Sequence, residues 1–497
     1  MTRRRWRIVG QVQGVGFRPF VYRLARAHGL VGRILNDSTG VVIEAQGGAL
    51  AMERFAQDLV SQRPALAVIS HIETQDVVPV SGEHEFRIEH SEDDHRPRAD
   101  VTVDSALCGA CRGELLSADD RRRGYGLINC TDCGPRYSII RRVPYDRPNT
   151  TMAQFQMCPA CAGEYADPSD RRFHAQPIAC HDCGPKVALV DSRGRPIDGD
   201  PIEQTAKCLE QGQIVAIKGL GGFHLAVRAD GEAAVARLRS LKKRDGKPFA
   251  LMCGSADQAQ RVVELSEQGR KAIESPAAPV VLAKRRAGAP VAASVAPDNH
   301  RLGVMLPYTP IHHLLFGALG TDAPALVMTS GNLSDEPLAI DNAEALQRLG
   351  GMCDAILWHD RPIERCVDDS VIIDVGDAPL PIRRSRGYAP MSIALPADAG
   401  VPGLCVGGEL KNTVAVVRDG SAILSQHLGD LNHPLALEYF RKAVADLREL
   451  FGVRPSWIAH DLHPLYQSHG YAKQLAGELG AELIGVQHHH AHPCGGV

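Results

Sequence analysis

Eight cysteines between positions 108 and 183 fall into four Cys-x-x-Cys pairs: Cys108/Cys111, Cys130/Cys133, Cys158/Cys161 and Cys180/Cys183. The pairs are separated by 18, 24 and 18 residues, and a shift of 50 positions lays the first half on the second. The register extends to Gly113/Gly163, Glu114/Glu164, Asp120/Asp170, Arg121/Arg171, Arg122/Arg172 and Asp132/Asp182. A Cys-x-x-Cys knuckle presents two thiolates to one tetrahedral metal, and a second knuckle about 18 residues on completes a four-cysteine zinc site. A disulfide framework or a redox Cys-x-x-Cys would not need a duplicated block of fixed spacing. Two structural zinc ions are therefore expected. They act as staples, because the roughly 80 residues of this region hold few large apolar side chains from which to build a core. Two pairings stay open: each copy closes on its own metal, or outer knuckle joins outer and inner joins inner.

The whole chain bounds the rest. Its 497 residues predict three to five domains. With 5% aromatic residues, 44% hydrophobic residues and a net charge of -3, nothing pulls the chain as a whole toward nucleic acid or membrane. Met1 to Arg7 run into a strand rather than an apolar leader, and no stretch of 18 apolar residues follows. Six further cysteines (Cys208, Cys253, Cys353, Cys366, Cys405, Cys494) show no pattern, which fits a reducing compartment. The expectation is a cytoplasmic multidomain protein with no membrane and no nucleic-acid partner. The finger arginines Arg121–Arg123 and Arg171–Arg172 are interleaved with acidic residues and lack the aromatics that stack on bases.

In the first ninety residues, Arg7–Val12 alternates and leads into Gln13-Gly14-Val15-Gly16-Phe17-Arg18, then a helical stretch through His28. Strand candidates Val31–Asn36 and Val41–Gln46 flank the turn Asp37-Ser38-Thr39-Gly40. A helix near Ala49–Gln62 and strands near Val68–Val78 and His84–Glu89 complete a βαββαβ order. A glycine loop opening a helix exposes N–H groups that hold phosphate, and Arg18 can clamp two oxygens. Joined to Gly32-x-x-x-Asn36-x-x-x-Gly40, the string resembles the acylphosphatase family over roughly residues 5–90. The resemblance implies a ferredoxin-like fold in which Arg18 binds the phosphoryl group and Asn36 orients the attacking water.

After a linker at Asp191–Asp200, residues 201–390 alternate strands and helices. Ile214–Ile217 reads as a buried strand before Lys218-Gly219-Leu220-Gly221-Gly222-Phe223-His224, and Glu232–Leu241 as a helix before Lys242-Lys243-Arg244-Asp245-Gly246-Lys247-Pro248. Leu326-Val327-Met328 leads into Thr329-Ser330-Gly331-Asn332-Leu333-Ser334. Lys242, Arg244 and Lys247, the turn Ser330/Asn332, and Ser370-Val371-Ile372 with Arg383 or Arg384 are similar to the YrdC family. The resemblance implies an α/β domain that binds ATP and forms an acyl adenylate. Lys218, Lys242, Arg244, Lys247, Ser330, Asn332, Ser370 and Arg384 would line its pocket. The family's Thr-Asp-Thr-x-Tyr-Gly stretch is replaced by Lys218–His224, so an acceptor other than threonine is expected.

The strand Leu404-Cys405-Val406 runs into Gly407-Gly408-Glu409-Leu410-Lys411-Asn412-Thr413, a phosphate-facing hairpin resembling the actin-like ATPase superfamily. Asp461-x-His463-Pro464-x-Tyr466 follows Trp457–His460, and the chain ends in Gln487-His488-His489-His490-Ala491-His492 and five more residues. On a helix, His488 and His492 stand one turn apart and could share a metal of unassigned identity; the other reading is a solvated tract.

An acylphosphatase segment, duplicated fingers, a YrdC-like segment and an ATPase-type segment in this order resemble the HypF family of nickel–iron hydrogenase maturation. The expected class is multidomain α+β and α/β. A ferredoxin-like acylphosphatase domain spans 1–92, a pair of four-cysteine zinc fingers 105–190, a YrdC-like domain 200–392, and an incomplete, truncated actin-like domain 402–497. The resemblance implies a carbamoyltransferase. Carbamoyl phosphate is hydrolysed at Arg18/Asn36, carbamate and magnesium-bound ATP form carbamoyl adenylate, and the carbamoyl group passes to the C-terminal cysteine of the partner protein HypE. With the last domain incomplete, the transfer step is expected to be missing. The competing classes are a tRNA threonylcarbamoyladenosine-type enzyme, which needs no acylphosphatase segment, and a zinc-dependent binding scaffold, which explains only the cysteines.

Overall fold

The computed structural model describes residues 1–12, 14–36, 40–64, 66–89, 101–320, 325–333, 336–376, 378–397 and 400–494. Gln13, the turn residues Asp37, Ser38 and Thr39, and Ser334 lie outside the described residues. Among those described, no helix is long and apolar enough to cross a membrane.

The N-terminal segment is a five-stranded sheet in the order Val68–Val77, Thr2–Gln11, Gly40–Gly47, Val31–Asn36, Phe86–Ile88, with helices Phe17–Ala27 and Ala49–Ser61 between strands. Side chains alternate across a strand, so Trp6, Ile8, Ile34 and Ile43 face the helices and meet Phe17, Val21, Phe55 and Leu59. The other face gathers Arg3, Arg5 and Arg33 around Glu44, at 2.9, 2.6 and 3.3 Å. Burial alone would raise the Glu44 carboxyl, but the three guanidiniums hold it at about 2.

The duplicated fingers are built alike. In the first, Cys108 precedes a helix, Gly109–Leu116, and its Sγ accepts from Cys111 N–H; Cys158 precedes the matching helix Pro159–Ala166. The 50-residue register reappears as a crossed lock. Arg121 Nη2 and Arg122 Nη2 reach Glu164 at 2.8 and 2.5 Å, while Arg171 Nη2 reaches Glu114 at 2.6 Å and Arg172 pairs with the same carboxylate. Arg122 Nε also donates to Ala179 O (2.9 Å) and Arg172 Nε to Asn129 O (3.1 Å), again positions 50 apart. These four arginines are thereby spent on the opposite finger.

The central sheet runs Leu380–Arg383, Val371–Ile373, Val280–Arg285, Arg301–Met305, Ala250–Met252, Leu326–Ser330, Phe223–Arg228, Val215–Lys218, Ala355–His359, Val187–Asp191, with Val263–Glu264 paired alongside. Val187–Asp191 joins it although it directly follows the last cysteine pair. The short apolar run Val215–Lys218 is buried at every residue, as a strand covered on both faces must be. Helices on this sheet start where the sequence supplies caps: Asp200 accepts from Ile202 and Glu203 N–H, and Thr309 from His312 N–H, each before a proline in the first turn. The sheet curls until Asp369, ahead of an outer strand, accepts from His224 on a central one at 3.0 Å.

A third sheet, ordered Ser392–Ala394, Ser421–Leu424, Ala415–Arg418, Gly403–Cys405, Trp457–Asp461, Glu482–Val486, carries helices Pro434–Leu450 and Gln467–Leu479. The segments are not beads. Val101, Tyr137, Ile140 and Val367 share one core with Leu404, Val416, Phe440 and Ile458, and Tyr137 Oη donates to Gln426 Oε1 at 2.8 Å.

Arg122 is 2% exposed. Replacing it by methionine leaves Glu164 without its buried partner and should cost about 3 kcal/mol. Urea unfolding of Arg122→Met should show this loss, and Arg122→Met with Glu164→Gln should lose less than the sum of the single changes.

Candidate functional sites

The four thiols of each finger converge, Cys108, Cys111, Cys130 and Cys133 in one cluster and Cys158, Cys161, Cys180 and Cys183 in the other. Each copy closes on itself, which decides between the two pairings. Sulfur–sulfur separations are 3.7 Å (Cys108–Cys130), 3.8 Å (Cys130–Cys133), 3.7 Å (Cys158–Cys180), 3.9 Å (Cys180–Cys183) and 3.6 Å (Cys161–Cys183). A tetrahedron with 2.3 Å zinc–sulfur arms has an edge of about 3.8 Å. Four thiols this close cannot all ionise on their own: hydrogen bonding within the first cluster pulls Cys108 down and pushes Cys111 and Cys133 up. A dication resolves that conflict. Arg121 and Arg171 also donate to Cys161 Sγ (3.3 Å) and Cys111 Sγ (3.2 Å) of the opposite finger, outer-shell bonds on thiolates.

Arg18 lies in the first turn of Phe17–Ala27, after Gly16 at φ 73°. It makes no hydrogen bond to a described residue, and burial lowers its pKa while Asp146 and Tyr165 of the fingers oppose this. Asn36 closes its strand with Oδ1 buried and, among the described residues, without a hydrogen-bond partner. The glycine loop is pressed against the first finger: a Cβ at Gly16 would stand 2.8 Å from Thr131 Oγ1.

In the middle segment the structure brings Lys242, Ser330 and Asn332 together. Lys242 Nζ donates to Ser330 O (2.6 Å), Asn332 O (2.5 Å) and Asn332 Oδ1 (3.1 Å), and Ser330 Oγ donates to Asn332 Oδ1 at 2.7 Å. Burial, then Arg244, pushes Lys242 down to about 7. Arg244 folds onto Lys247 O (3.0 Å) and Pro248 O (2.7 Å), and burial lowers it to about 10. Arg384 has Nε buried without an acceptor. Two expected pocket residues go elsewhere. Ser370 spends its hydroxyl on Arg386 O and Ser385 N–H, both within the fold. Lys218, two strands from Ser330, donates to Asn342 Oδ1 (2.7 Å) and His359 O (3.1 Å).

In the last segment His488–Cys494 is helical. His492 Nε2 lies 3.2 Å from His488 Nε2, and His488 Nδ1 is 2.6 Å from Asp461 Oδ2. Burial works against the Asp461 charge, yet His463 N–H and His488 hold its carboxyl below the usual range. An ionised Asp461 accepts a hydrogen bond from His488 Nδ1–H, which leaves the lone pair of His488 on Nε2, turned to His492, the orientation of a metal-ligating histidine. The glycine hairpin is adjacent: a Cβ at Gly408 would be 3.7 Å from Asp461 Oδ2.

Family models match four stretches: acylphosphatase over 4–88, the HypF finger over 107–140 and 157–190, the Sua5/YciO/YrdC family described as telomere recombination over 207–385, and the HypF Kae1-like domain over 398–496. The chain is 47% identical to carbamoyltransferase HypF2 of Cupriavidus necator over 99% of its own length and 63% of that protein. It is likewise 47% identical to carbamoyltransferase HypF of Rhodobacter capsulatus, covering 98% of this chain and 64% of that one. The crystal structure of full-length HypF in the phosphate- and nucleotide-bound form superposes with a TM-score of 0.90 at 43% identity, over 99% of this chain and 64% of that chain. The chain belongs to the HypF family. It spans less than two thirds of the length of these relatives. An acylphosphatase of Thermotoga maritima is 36% identical over 85 residues, 17% of this chain and 92% of that protein.

The two four-cysteine clusters lie within the stretches that the HypF finger model matches, and they suit two zinc ions. The site residues that sequence reasoning missed in this HypF-family chain are Asp461, whose carboxylate orients His488, and Arg361, buried beside Lys218. Asp461 carried a signal, being the acid at the end of a strand; Arg361 carried none, because an arginine after a strand is ordinarily solvated.

Metal analysis of the folded chain should give two zinc per polypeptide. Cys130→Ser should retain one, and limited proteolysis should then cut within residues 105–190.

Proposed function

We propose that this chain performs the first two steps of HypF-type carbamoyl transfer. Water attacks carbamoyl phosphate, giving carbamate and phosphate; carbamate then attacks the α-phosphate of ATP, giving carbamoyl adenylate and pyrophosphate. The observation that carries this reading is the presence in one chain of two separate cationic sites, half-buried Arg18 at the helix start behind the glycine loop and buried Lys242 beside Ser330/Asn332. The named activity of its HypF relatives supports it. Arg18 clamps the phosphoryl group and Asn36 Oδ1, without a partner among the described residues, accepts from the attacking water. An acyl phosphate needs no protein nucleophile, so charge neutralisation and a placed water suffice. In the second pocket Lys242, Arg244, Lys247 and Arg384 hold the phosphates of magnesium-bound ATP. Ser330 and Asn332 orient the carbamoyl end, and Ser370 fixes the loop that carries Arg384. Lys218 faces a neighbouring cavity.

The third step passes the carbamoyl group from adenylate to the C-terminal cysteine thiolate of HypE, releasing AMP. His488 and His492, with Asp461 behind His488, would hold a metal there, whose chemistry would be to polarise a bound oxygen. Work inside one folded chain keeps carbamate and adenylate from water.

Carbamoyl-phosphate-dependent exchange of labelled pyrophosphate into ATP tests the reading, and its absence in the intact chain would refute it. Arg18→Ala should lose carbamoyl-phosphate hydrolysis by about a hundredfold or more. Asn332→Ala should hydrolyse normally and fail to exchange.

The Lys242 pKa sets a pH dependence. Phosphate is bound by the charged amine, which is lost as pH rises through about 7. The Kd for magnesium-bound ATP should therefore weaken above pH 7, by up to about tenfold per pH unit. Lys242→Arg, whose charge persists, should flatten the profile in equilibrium titrations.

A further inference from the structure

The 50-residue register of the fingers changes character at one turn. Gly124 and His174 are equivalent positions, and their N–H groups make the same bond, Gly124 to Leu115 O at 2.9 Å and His174 to Tyr165 O at 3.1 Å. Both take left-handed backbone, φ 69° at Gly124 and 54° at His174. Glycine adopts that conformation freely, whereas a residue with a side chain is strained there, and such strain gathers at functional sites. The two fingers need the same turn, and only the second puts an imidazole on it.

Other exchanges accompany the histidine. Where the first finger has Leu115 and Arg123, the second has Tyr165 and Phe173, and both rings stack on the imidazole. The His174 ring centroid lies 5.0 Å from that of Tyr165 at 14° and 4.1 Å from that of Phe173 at 26°. His174 is still exposed, so the stack fixes the plane of the ring without burying it. Gln176, where the first finger has Gly126, braces the stack: its Oε1 accepts from Tyr165 Oη (2.8 Å) and from Arg147 N–H (2.7 Å). The first finger makes the same turn and gathers its own four thiols without any of these side chains, so the fold does not call for them.

The stack stands beside the phosphate loop. Thr131, which a Cβ at Gly16 would meet at 2.8 Å, donates through Oγ1 to Arg171 O at 3.1 Å, three residues before His174. Tyr165, together with Asp146, is near enough to Arg18 to oppose the lowering of its pKa by burial.

We propose that His174 is a phosphate-binding residue of the Arg18 site, lent to it by the second finger, with one ring N–H donated to an oxygen of the bound phosphoryl group. The inference rests on the hydrolysis step of the proposed function. The ligand is a phosphoryl anion, either that of the acyl phosphate or the inorganic phosphate its hydrolysis releases. A neutral imidazole keeps one N–H in either tautomer, so the contact does not depend on a charged ring. Donation to a charged phosphate oxygen is the stronger kind of hydrogen bond, and a ring already held by its neighbours gives up little freedom in making it.

Calorimetric titration of the intact, zinc-loaded chain with inorganic phosphate tests the contact. His174→Gly, which installs the residue of the first finger, should keep two zinc ions and its thermal midpoint while weakening the phosphate Kd by about tenfold or more. In the Arg18→Ala background the same change should have no further effect, because the two groups hold one ligand. An unchanged Kd in His174→Gly, an equal loss with and without Arg18, or no phosphate binding by the unmodified chain overturns the proposal. If His174→Gly loses zinc, His174→Asn, which suits the same backbone, takes its place, and an unchanged Kd there overturns the proposal as well. In steady-state hydrolysis of carbamoyl phosphate, His174→Gly should raise KM by a similar factor with a smaller effect on kcat. A chain that binds phosphate through His174 yet never hydrolyses carbamoyl phosphate supports the site and refutes the proposed function. A chain that hydrolyses it with KM and Kd indifferent to His174→Gly does the reverse, so the two failures are distinguishable.

Discussion

Each finger reaches across and grips the other's metal cluster, and the rest of the molecule is arranged around that exchange. Arg121 and Arg122 bind Glu164 and the second cluster; Arg171 and Arg172 bind Glu114 and the first. A thiolate cluster around zinc carries net negative charge, so a guanidinium on its outer shell is favoured and better fixed than one in water. Because the exchange is reciprocal, neither finger is complete alone. The pair forms a rigid block where apolar side chains are few, and the phosphate loop, the central sheet and the C-terminal sheet all lean on it through Thr131, Pro135 and Tyr137.

Buried cations recur through the molecule, and their partners separate structural from functional ones. Arg136 gives its two terminal amino groups to the carbonyls of Cys130, Thr131, Cys133 and Pro135 and packs against Tyr145. Arg386 is satisfied by Asp369, by two carbonyls and by the face of Tyr308, 3.5 Å away. These hold the fold. Among the described residues Arg18 and Arg361 make no hydrogen bond or ion pair, and Lys242 donates to the oxygens of Ser330 and Asn332. Desolvating a charge without a counter-charge is costly, and a sequence retains such a group where a ligand completes it. By this criterion Arg18 and Lys242 fit the ligand-binding roles proposed for them.

Local pattern made much of this legible in advance. Val31–Asn36 and Glu232–Leu241 run as their periodicity predicts, because alternation and 3.6-residue spacing are properties of the segment itself. The Ser-Gly-Asn turn and the basic string are short and rigid, so their approach to each other follows once the strand and helix form. Ser370 and Lys218 show the limit. Both matched a pocket pattern, yet one hydroxyl is used to hold the 385–386 backbone and one amine faces a different cavity. Hydrogen-bond partners 15 to 141 positions away cannot be read from the string around a residue.

The sequence by itself determined the number of four-cysteine clusters, the order of the segments, the glycine loop and the basic string, because each rests on spacing within a few tens of residues. Only the tertiary structure decided which knuckles cluster together, that the duplicated arginines are traded between copies, that Asp461 meets His488, and that Arg361 stands buried without a hydrogen-bond or ion-pair partner among the described residues. Those outcomes depend on which surfaces meet once the sheets curl and pack, and the free energy of a buried charge is fixed by everything around it rather than by its neighbours in the chain.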